Sequence, residues 1–179
     1  MTDSIAPYIV KWLTHDLASP IATVMTASEL LSDEPDEEIN GLVQDGAKRL
    51  VARLRLIRAA LAPGDGPVGG AALEKLVRQG AEGTPIEWQR VAADTDGAQG
   101  AVIAGAVMLL ADLRRGQAVT VTATTAHWAT AFPLPPAVAD ALAGGAASDG
   151  RSALAAMLAA AAARSGLVLT ATADGVAWG

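Results

Sequence analysis

The stretch "LTHDLASP", residues 13–20, places one of the two histidines of the chain inside a segment with helical periodicity. If each residue advances the helix by about 100°, the apolar residues Leu13, Leu17 and Val24 fall on one side. His15 falls on the opposite side, about 200° from Leu13. We therefore predict a helix whose histidine points into solvent, away from the apolar stripe.

A second helical segment follows, and together the two predict a helical hairpin over about residues 4–31 and 36–61. They are separated by "SDEPDEE" at 32–38, which carries a proline and five acids. The second helix has its own apolar stripe, centred on Leu54. Two helices alone cannot bury both stripes, so we expect a second copy of the chain to complete a dimeric four-helix bundle.

The composition changes at "APGDGPVGG" (62–70), where glycine and proline replace helix-compatible sequence. We interpret this stretch as a linker between domains at 1–63 and 64–179. The elements predicted beyond it are helices at 72–80, 98–113, 136–143 and 150–164, strands at 84–91 and 118–125, and a terminal hairpin turning at Asp174-Gly175. Helices and strands mix without strict alternation, which predicts an α/β sandwich and the α+β class.

Charge and composition exclude several classes of function. The formal net charge is −6, whereas nucleic acids and anionic membranes are bound by clustered positive charge. The longest apolar runs, 101–111 and 153–163, fall well short of the roughly 20 residues that span a bilayer. The chain has no cysteine and no basic start before an apolar core, so we expect no disulfide and no signal peptide. These features favour a cytoplasmic protein without nucleic-acid or membrane partners.

The surroundings of His15 suit nucleophilic chemistry, because neutral imidazole is a competent nucleophile near neutral pH. Asp16, about 100° further around the helix, could orient the ring or accept its proton. Pro20 removes the helical hydrogen bond to the carbonyl of Asp16, so we expect a helix bend beside the histidine. A surface histidine without a role stays an alternative. A metal site is less well supported, because the second histidine, His127, lies in the other module.

These residues resemble the phosphoacceptor box H-[DE]-L-x-x-P of the histidine-kinase dimerisation domain, in the form found in ChpT-like histidine phosphotransferases. The matching positions are His15, Asp16, Leu17, Ser19 and Pro20. The second helix, "DGAKRLVARLRLIRAALAPG" (45–64), also resembles that family's second helix. A helical hairpin followed by a mixed α/β module strengthens the resemblance, which extends weakly over the rest of the chain.

The resemblance implies a phosphotransferase of a bacterial two-component phosphorelay. In that family the histidine shuttles a phosphoryl group between receiver-domain aspartates, which makes His15 the phosphoacceptor and Asp16 an orienting group or general base. The implied partners are a second copy of the chain and the receiver domains of response regulators and of a hybrid histidine kinase. The receiver would supply Mg²⁺, so the protein would need no cofactor or metal of its own.

The resemblance also implies that the C-terminal module is a degenerate histidine-kinase ATPase-like domain. A working domain of that kind needs an asparagine in the helix at 98–113 and a D-x-G-x-G loop. Ala104 stands where the asparagine is expected, and no D-x-G-x-G occurs in the chain. We therefore expect no ATP binding and no autophosphorylation.

A receiver would dock on outward residues of both helices. The candidates, which surround the histidine or face it from the second helix, are Lys11, Ser19, Ala22, Thr26, Arg49, Ala52 and Leu56. Leu56 is informative because it is apolar on a side predicted to be exposed. The four arginines between 49 and 58 point in several directions, which favours a solvated surface over a phosphate site.

Two other functions use the same residues. A histidine kinase with a divergent ATP site would keep the His15 box, and a thermal shift induced by nucleotide would reveal it. A non-catalytic dimeric protein that sequesters a regulator would carry His15 incidentally, so that a His15→Ala variant would still bind its partner and still act in cells.

Overall fold

Two long helices begin the fold, as the sequence predicts. Helix α1 spans Ala6–Glu29 and α2 spans Glu37–Leu61, and the two pack against each other as a hairpin. This computed structural model describes residues 5–30, 37–62, 66–91 and 93–179. Most of the acidic run at 32–38 and part of the linker at 62–70 therefore lie outside the described residues.

The remainder of the described chain combines helices with short strands. Its elements are α3 (Gly70–Gly80), β1 (Ile86–Trp88), α4 (Gly97–Leu113), β2 (Val119–Val121), β3 (Thr125–Trp128), α5 (Pro136–Leu142), α6 (Gly150–Arg164), β4 (Leu169–Ala171) and β5 (Gly175–Trp178). The strands form one sheet in the order β1-β2-β3-β5-β4. β1 and β2 run parallel and the other neighbours antiparallel. This mixture confirms the predicted α+β class.

The single strand predicted at 118–125 is wrong in its extent, because β2 ends at Val121 and a separate strand, β3, starts at Thr125. Thr122 closes the turn between them. Its backbone N–H donates to the Thr125 carbonyl at 2.8 Å, and its hydroxyl accepts the Thr125 N–H at 3.1 Å. Threonine hydroxyls compete with strand pairing in this way. The alternating pattern continues through the turn, so the sequence does not reveal it.

Helix α4 lies at the centre of the core. Every residue from Gly100 to Ala111 is buried, which explains why the helix is apolar all round. It packs against α2, α3 and α6, and against strands of the sheet. Trp12 of α1 and Leu56 and Ile57 of α2 belong to the same buried cluster. The predicted boundary after residue 63 therefore separates two stretches of sequence that share one core.

Two glycines let the hairpin lie close to the other elements. At Gly80, the last residue of α3, a β-carbon would collide with the side chain of Leu56. At Gly150, the first residue of α6, a β-carbon would lie 2.9 Å from Cβ of Trp12. Substitution of either glycine would force a helix of the hairpin away from the core.

Helix α6 starts with a capping box. The carboxylate of Asp149 accepts the backbone N–H of Ser152 at 2.8 Å, and the Ser152 hydroxyl accepts the backbone N–H of Asp149 at 2.9 Å. The hydrogen bond from the Ser152 backbone lowers the pKa of the Asp149 carboxyl, because it stabilises the charged form. The local pair of side chains thus defines the first turn of the helix.

We expect Asp149→Ala to lower the free energy of unfolding by about 1 kcal/mol at neutral pH, because the cap of α6 is lost. Asp149→Asn keeps an acceptor but loses the charge. Since the native pKa is lowered, the charge stabilises the fold fully above the unfolded pKa of about 3.9, and this contribution is lost as the pH falls through the native pKa. Urea unfolding at neutral and at strongly acidic pH measures the difference between wild type and Asp149→Asn. A difference that does not shrink in acid would contradict this expectation.

Candidate functional site

The imidazole of His15 is exposed on α1, as the helical phase predicts. Lys11 and Ser19, one turn away, are exposed too. Ala22 and Thr26 continue this exposed strip towards the end of the helix. The short side chains at 19, 22 and 26 leave the ring accessible to a second macromolecule.

Asp16 is turned inwards, in contrast to its neighbour. Its carboxylate accepts hydrogen bonds from Nε and Nη2 of Arg53 on α2, at 2.7 and 2.8 Å. The two side chains are only 5% and 17% exposed. Nη1 of Arg53 also lies 3.5 Å from the carbonyl oxygen of Gly80. This bidentate ion pair joins the histidine-bearing helix to α2 and to the end of α3.

A cleft of about 350 Å³ opens beside the ion pair. Its walls come from α1, α2, the turn that follows α3, and the end of α4. Its polar lining includes Ser19, Thr23, Arg49, Glu82, Asp112 and Arg115, in addition to the ion pair itself. The hairpin and the sheet-containing part of the chain therefore build this cleft together, and Asp16 and Ser19, close to His15 on α1, are part of its lining.

The charges around the cleft are of both signs. Nε of Arg49, on α2, lies 2.8 Å from Oε1 of Glu82, in the turn after α3. Asp112, near the end of α4, accepts hydrogen bonds from the indole N–H of Trp12 and from the Nε–H of Arg151, both at 3.3 Å. Opposite charges are therefore interspersed along the cleft, and its lining is not uniformly cationic.

Pro20 lies inside α1, which continues as a helix on both sides of it. Proline has no N–H, so the carbonyl of Asp16 lacks its usual helical donor. Pro20 also lines the cleft. The bend predicted at this residue stays a prediction.

The prediction that Leu56 is exposed for docking is wrong. Leu56 is 0% exposed and packs against Gly80. Helical periodicity places Leu56 on the side of α2 opposite Leu54. It does not show that α3 and α4 cover that side. The other docking candidates differ in exposure: Lys11, Ser19, Ala22, Thr26 and Arg49 are exposed, and Ala52 is half-buried.

Arg53 is the site residue that the sequence pattern does not reveal. The pattern predicts that the arginines of α2 form a solvated surface, yet the Arg53 side chain is only 17% exposed and its guanidinium binds Asp16. One signal was available: Arg53 lies about 100° from Leu54, on the flank of the apolar stripe. Phase alone could not identify its partner, which is 37 residues earlier in the chain.

Apolar side chains of the hairpin that do not line the cleft remain uncovered. They occur on both helices, and they are Val10, Ile21, Met25, Val51 and Leu54. Met25 is 58% exposed and Leu54, the centre of the predicted apolar stripe, is 43% exposed. In a single chain, the predicted apolar stripes of α1 and α2 are therefore partly exposed to solvent.

The remaining predicted features lie apart from this site. His127 is on β3, where Nδ1 lies 3.3 Å from the hydroxyl of Thr125. Within 5–30, 37–62, 66–91 and 93–179, no cluster of three or more His, Asp or Glu side chains is arranged to bind a metal ion. Over the same ranges, no helix combines the length and the apolar character needed to cross a bilayer.

The chain is similar to a solved structure described as a bacterial phosphotransferase at 1.7 Å resolution. The TM-score is 0.73, and the match covers 99% of this chain and 97% of the other at 18% sequence identity. The two proteins therefore have the same fold over nearly their whole length. No protein-family model matches the sequence, and no curated protein matches it.

We expect Leu56→Ala to lower the free energy of unfolding by about 2–5 kcal/mol, because it leaves a cavity in the core. Val91→Ala is the control, since Val91 is 82% exposed. Urea unfolding measures both variants. A Leu56→Ala variant as stable as Val91→Ala would contradict the buried position of this leucine.

Proposed function

We propose that the protein is a histidine phosphotransferase of a bacterial two-component phosphorelay, which shuttles a phosphoryl group between receiver-domain aspartates through His15. The observation that carries this proposal is the exposed histidine on α1, whose helix neighbours Asp16 and Ser19 line a cleft that both parts of the chain build. The fold shared with a protein described as a bacterial phosphotransferase supports it. The type of reaction is inferred from the resemblance of residues 15–20 to the phosphoacceptor box.

In the proposed reaction, the lone pair of one imidazole nitrogen of His15 attacks the phosphorus of an aspartyl phosphate. The bond from phosphorus to the receiver's carboxylate oxygen breaks, and its electron pair stays on that carboxylate. The proton on the second ring nitrogen can remain in place, so this step needs no base. The reverse sequence delivers the group to the aspartate of another receiver. Because the transition state is loose, catalysis consists mainly of alignment and charge stabilisation.

The receiver would supply Mg²⁺ and its own acidic cluster, and this protein would supply the nucleophile and a docking surface. We assign that surface to the exposed strip around His15 and to Arg49, which is exposed and lines the same cleft as Ser19. Glu82 and Arg115, from the sheet-containing part of the chain, extend the surface. Leu56 is excluded because it is buried.

We further propose that the protein acts as a homodimer. The uncovered apolar side chains of α1 and α2, such as Met25 and Leu54, form the kind of surface that marks a protein interface. A second hairpin packed there would complete a four-helix bundle. His15 would stay accessible, because it lies on a different side of α1 from Ile21.

The proposal includes no ATP-dependent step. Ala104 is 0% exposed in the middle of α4, so its position offers neither a polar side chain nor access to a magnesium-bound nucleotide. Gly105 beside it packs against Leu158. These contacts support a degenerate ATPase-like module whose central helix serves packing.

The phosphotransfer proposal is tested with a receiver domain that carries a radiolabelled aspartyl phosphate. We expect label to move to the wild-type protein and not to His15→Ala, because the nucleophilic nitrogen is absent. Incubation with radiolabelled ATP alone should leave both proteins unlabelled. Label from ATP alone would indicate a histidine kinase. A His15→Ala variant that binds receivers and acts in cells like wild type would indicate a non-catalytic binding protein.

The dimer is tested by replacing two uncovered apolar residues together, in a Met25→Glu/Leu54→Glu variant. We expect the wild type to have twice the mass of one chain and the variant to have the mass of one chain, because buried unpaired carboxylates oppose association. Size-exclusion chromatography with light scattering measures the masses. Val168→Glu is the matched control, since Val168 is 63% exposed on the sheet-containing part. A wild-type protein of single-chain mass would refute the dimer.

A further inference from the structure

The Asp16–Arg53 pair is a buried charged group that the reaction written above does not use. Asp16 is 5% exposed and Arg53 is 17% exposed, and each is less exposed than the side chain of like charge in the other ion pairs between described residues. Burial of two charges costs free energy, so such a pair is weak evidence for a role in stability. Its position, one residue after the histidine, points to a role in the chemistry of His15.

Phosphorylation of His15 would be favoured by a positive charge that compensates the carboxylate of Asp16. A phosphoryl group adds about −1.5 to −2 charges near neutral pH. An uncompensated carboxylate on the next residue would repel that group and the anionic donor that delivers it. The guanidinium of Arg53 lies 2.7 and 2.8 Å from the two oxygens of Asp16 and compensates its charge.

We propose that Arg53 is a positioning residue for phosphorylation of His15, acting through Asp16. It neutralises Asp16 and holds this turn of α1 against α2. The inference rests on the proposed phosphotransfer. It also gives the sheet-containing part of the chain a function in transfer, because the Gly80 carbonyl at the end of α3 lies 3.5 Å from Nη1 of Arg53. The C-terminal part thus contributes a contact to Arg53, which in turn positions the turn of α1 that carries His15.

The test uses phosphoramidate, a small phosphoryl donor that needs no docking surface. A ring nitrogen of His15 forms a bond to the phosphorus of phosphoramidate, and the P–N bond of the donor breaks. The departing nitrogen keeps the electron pair of that bond and leaves as ammonia, with any proton it lacks taken from solvent. We expect Arg53→Gln to slow this reaction roughly ten- to a hundred-fold, because a nearby charge is uncompensated and the helix turn is misplaced. The reaction is followed by the mass of the protein over time, with His15→Ala as the blank.

The decisive variant is Asp16→Asn combined with Arg53→Gln, a neutral pair of similar shape. We expect it to react within a few-fold of wild type, because no charge is left uncompensated. Asp16→Asn alone is the reference for this double variant: adding Arg53→Gln to it should change the rate by no more than a few-fold, because Arg53 then has no carboxylate charge to compensate. Arg55→Gln is the matched control, since Arg55 is an exposed arginine on the same helix. Each variant is first checked for a wild-type unfolding transition, and the neutral pair remains informative if Arg53→Gln alone does not fold.

Transfer from a phosphorylated receiver adds a second readout. Arg53→Gln should lower the maximal rate and leave the half-saturating receiver concentration within a few-fold of wild type, because only 17% of the Arg53 side chain is exposed to a partner. An unchanged rate in folded Arg53→Gln, or a neutral pair slower than about a tenth of wild type, would overturn the inference. Slow reaction of Asp16→Asn alone would assign the essential role to the carboxylate. A wild type that reacts with neither donor would refute the proposed function itself.

Discussion

The rest of the structure depends on the packing of α2 against α3 and α4. Leu56 lies against Gly80, where a side chain on the glycine would collide with it, and Ile57 and Ala60 join the cluster that surrounds α4. This contact decides which side of α2 is buried. It also sets the position of α1, because α1 packs on α2 and inserts Trp12 into the same core.

The candidate site follows from this arrangement. The packing leaves His15 exposed, turns Asp16 towards Arg53, and opens a cleft where the hairpin and the sheet-containing part meet. Two kinds of surface therefore exist on the hairpin: a polar side around the cleft and an apolar side with Met25 and Leu54 uncovered. The proposed receiver docking and the proposed dimer use different sides, so they do not compete.

Most of the helices could be predicted from the sequence, because their signals are local. The helix predicted at 150–164 matches Gly150–Arg164, and the helix predicted at 98–113 differs from Gly97–Leu113 by one residue at its start. The β2–β3 turn could not be predicted, because threonines satisfy a strand pattern and also close a turn through their hydroxyls. The sheet order likewise joins strands that are distant in the chain.

The sequence by itself determined the phase of each helix, and with it the outward direction of His15, because side-chain direction within a helix follows from its geometry. Only the tertiary structure decided that Leu56 is buried and Leu54 is partly exposed, and that Arg53 binds Asp16. The reason is physical: a helix with two apolar sides does not specify which neighbour covers each side. The choice belongs to elements that are far away in sequence and meet only when the core forms.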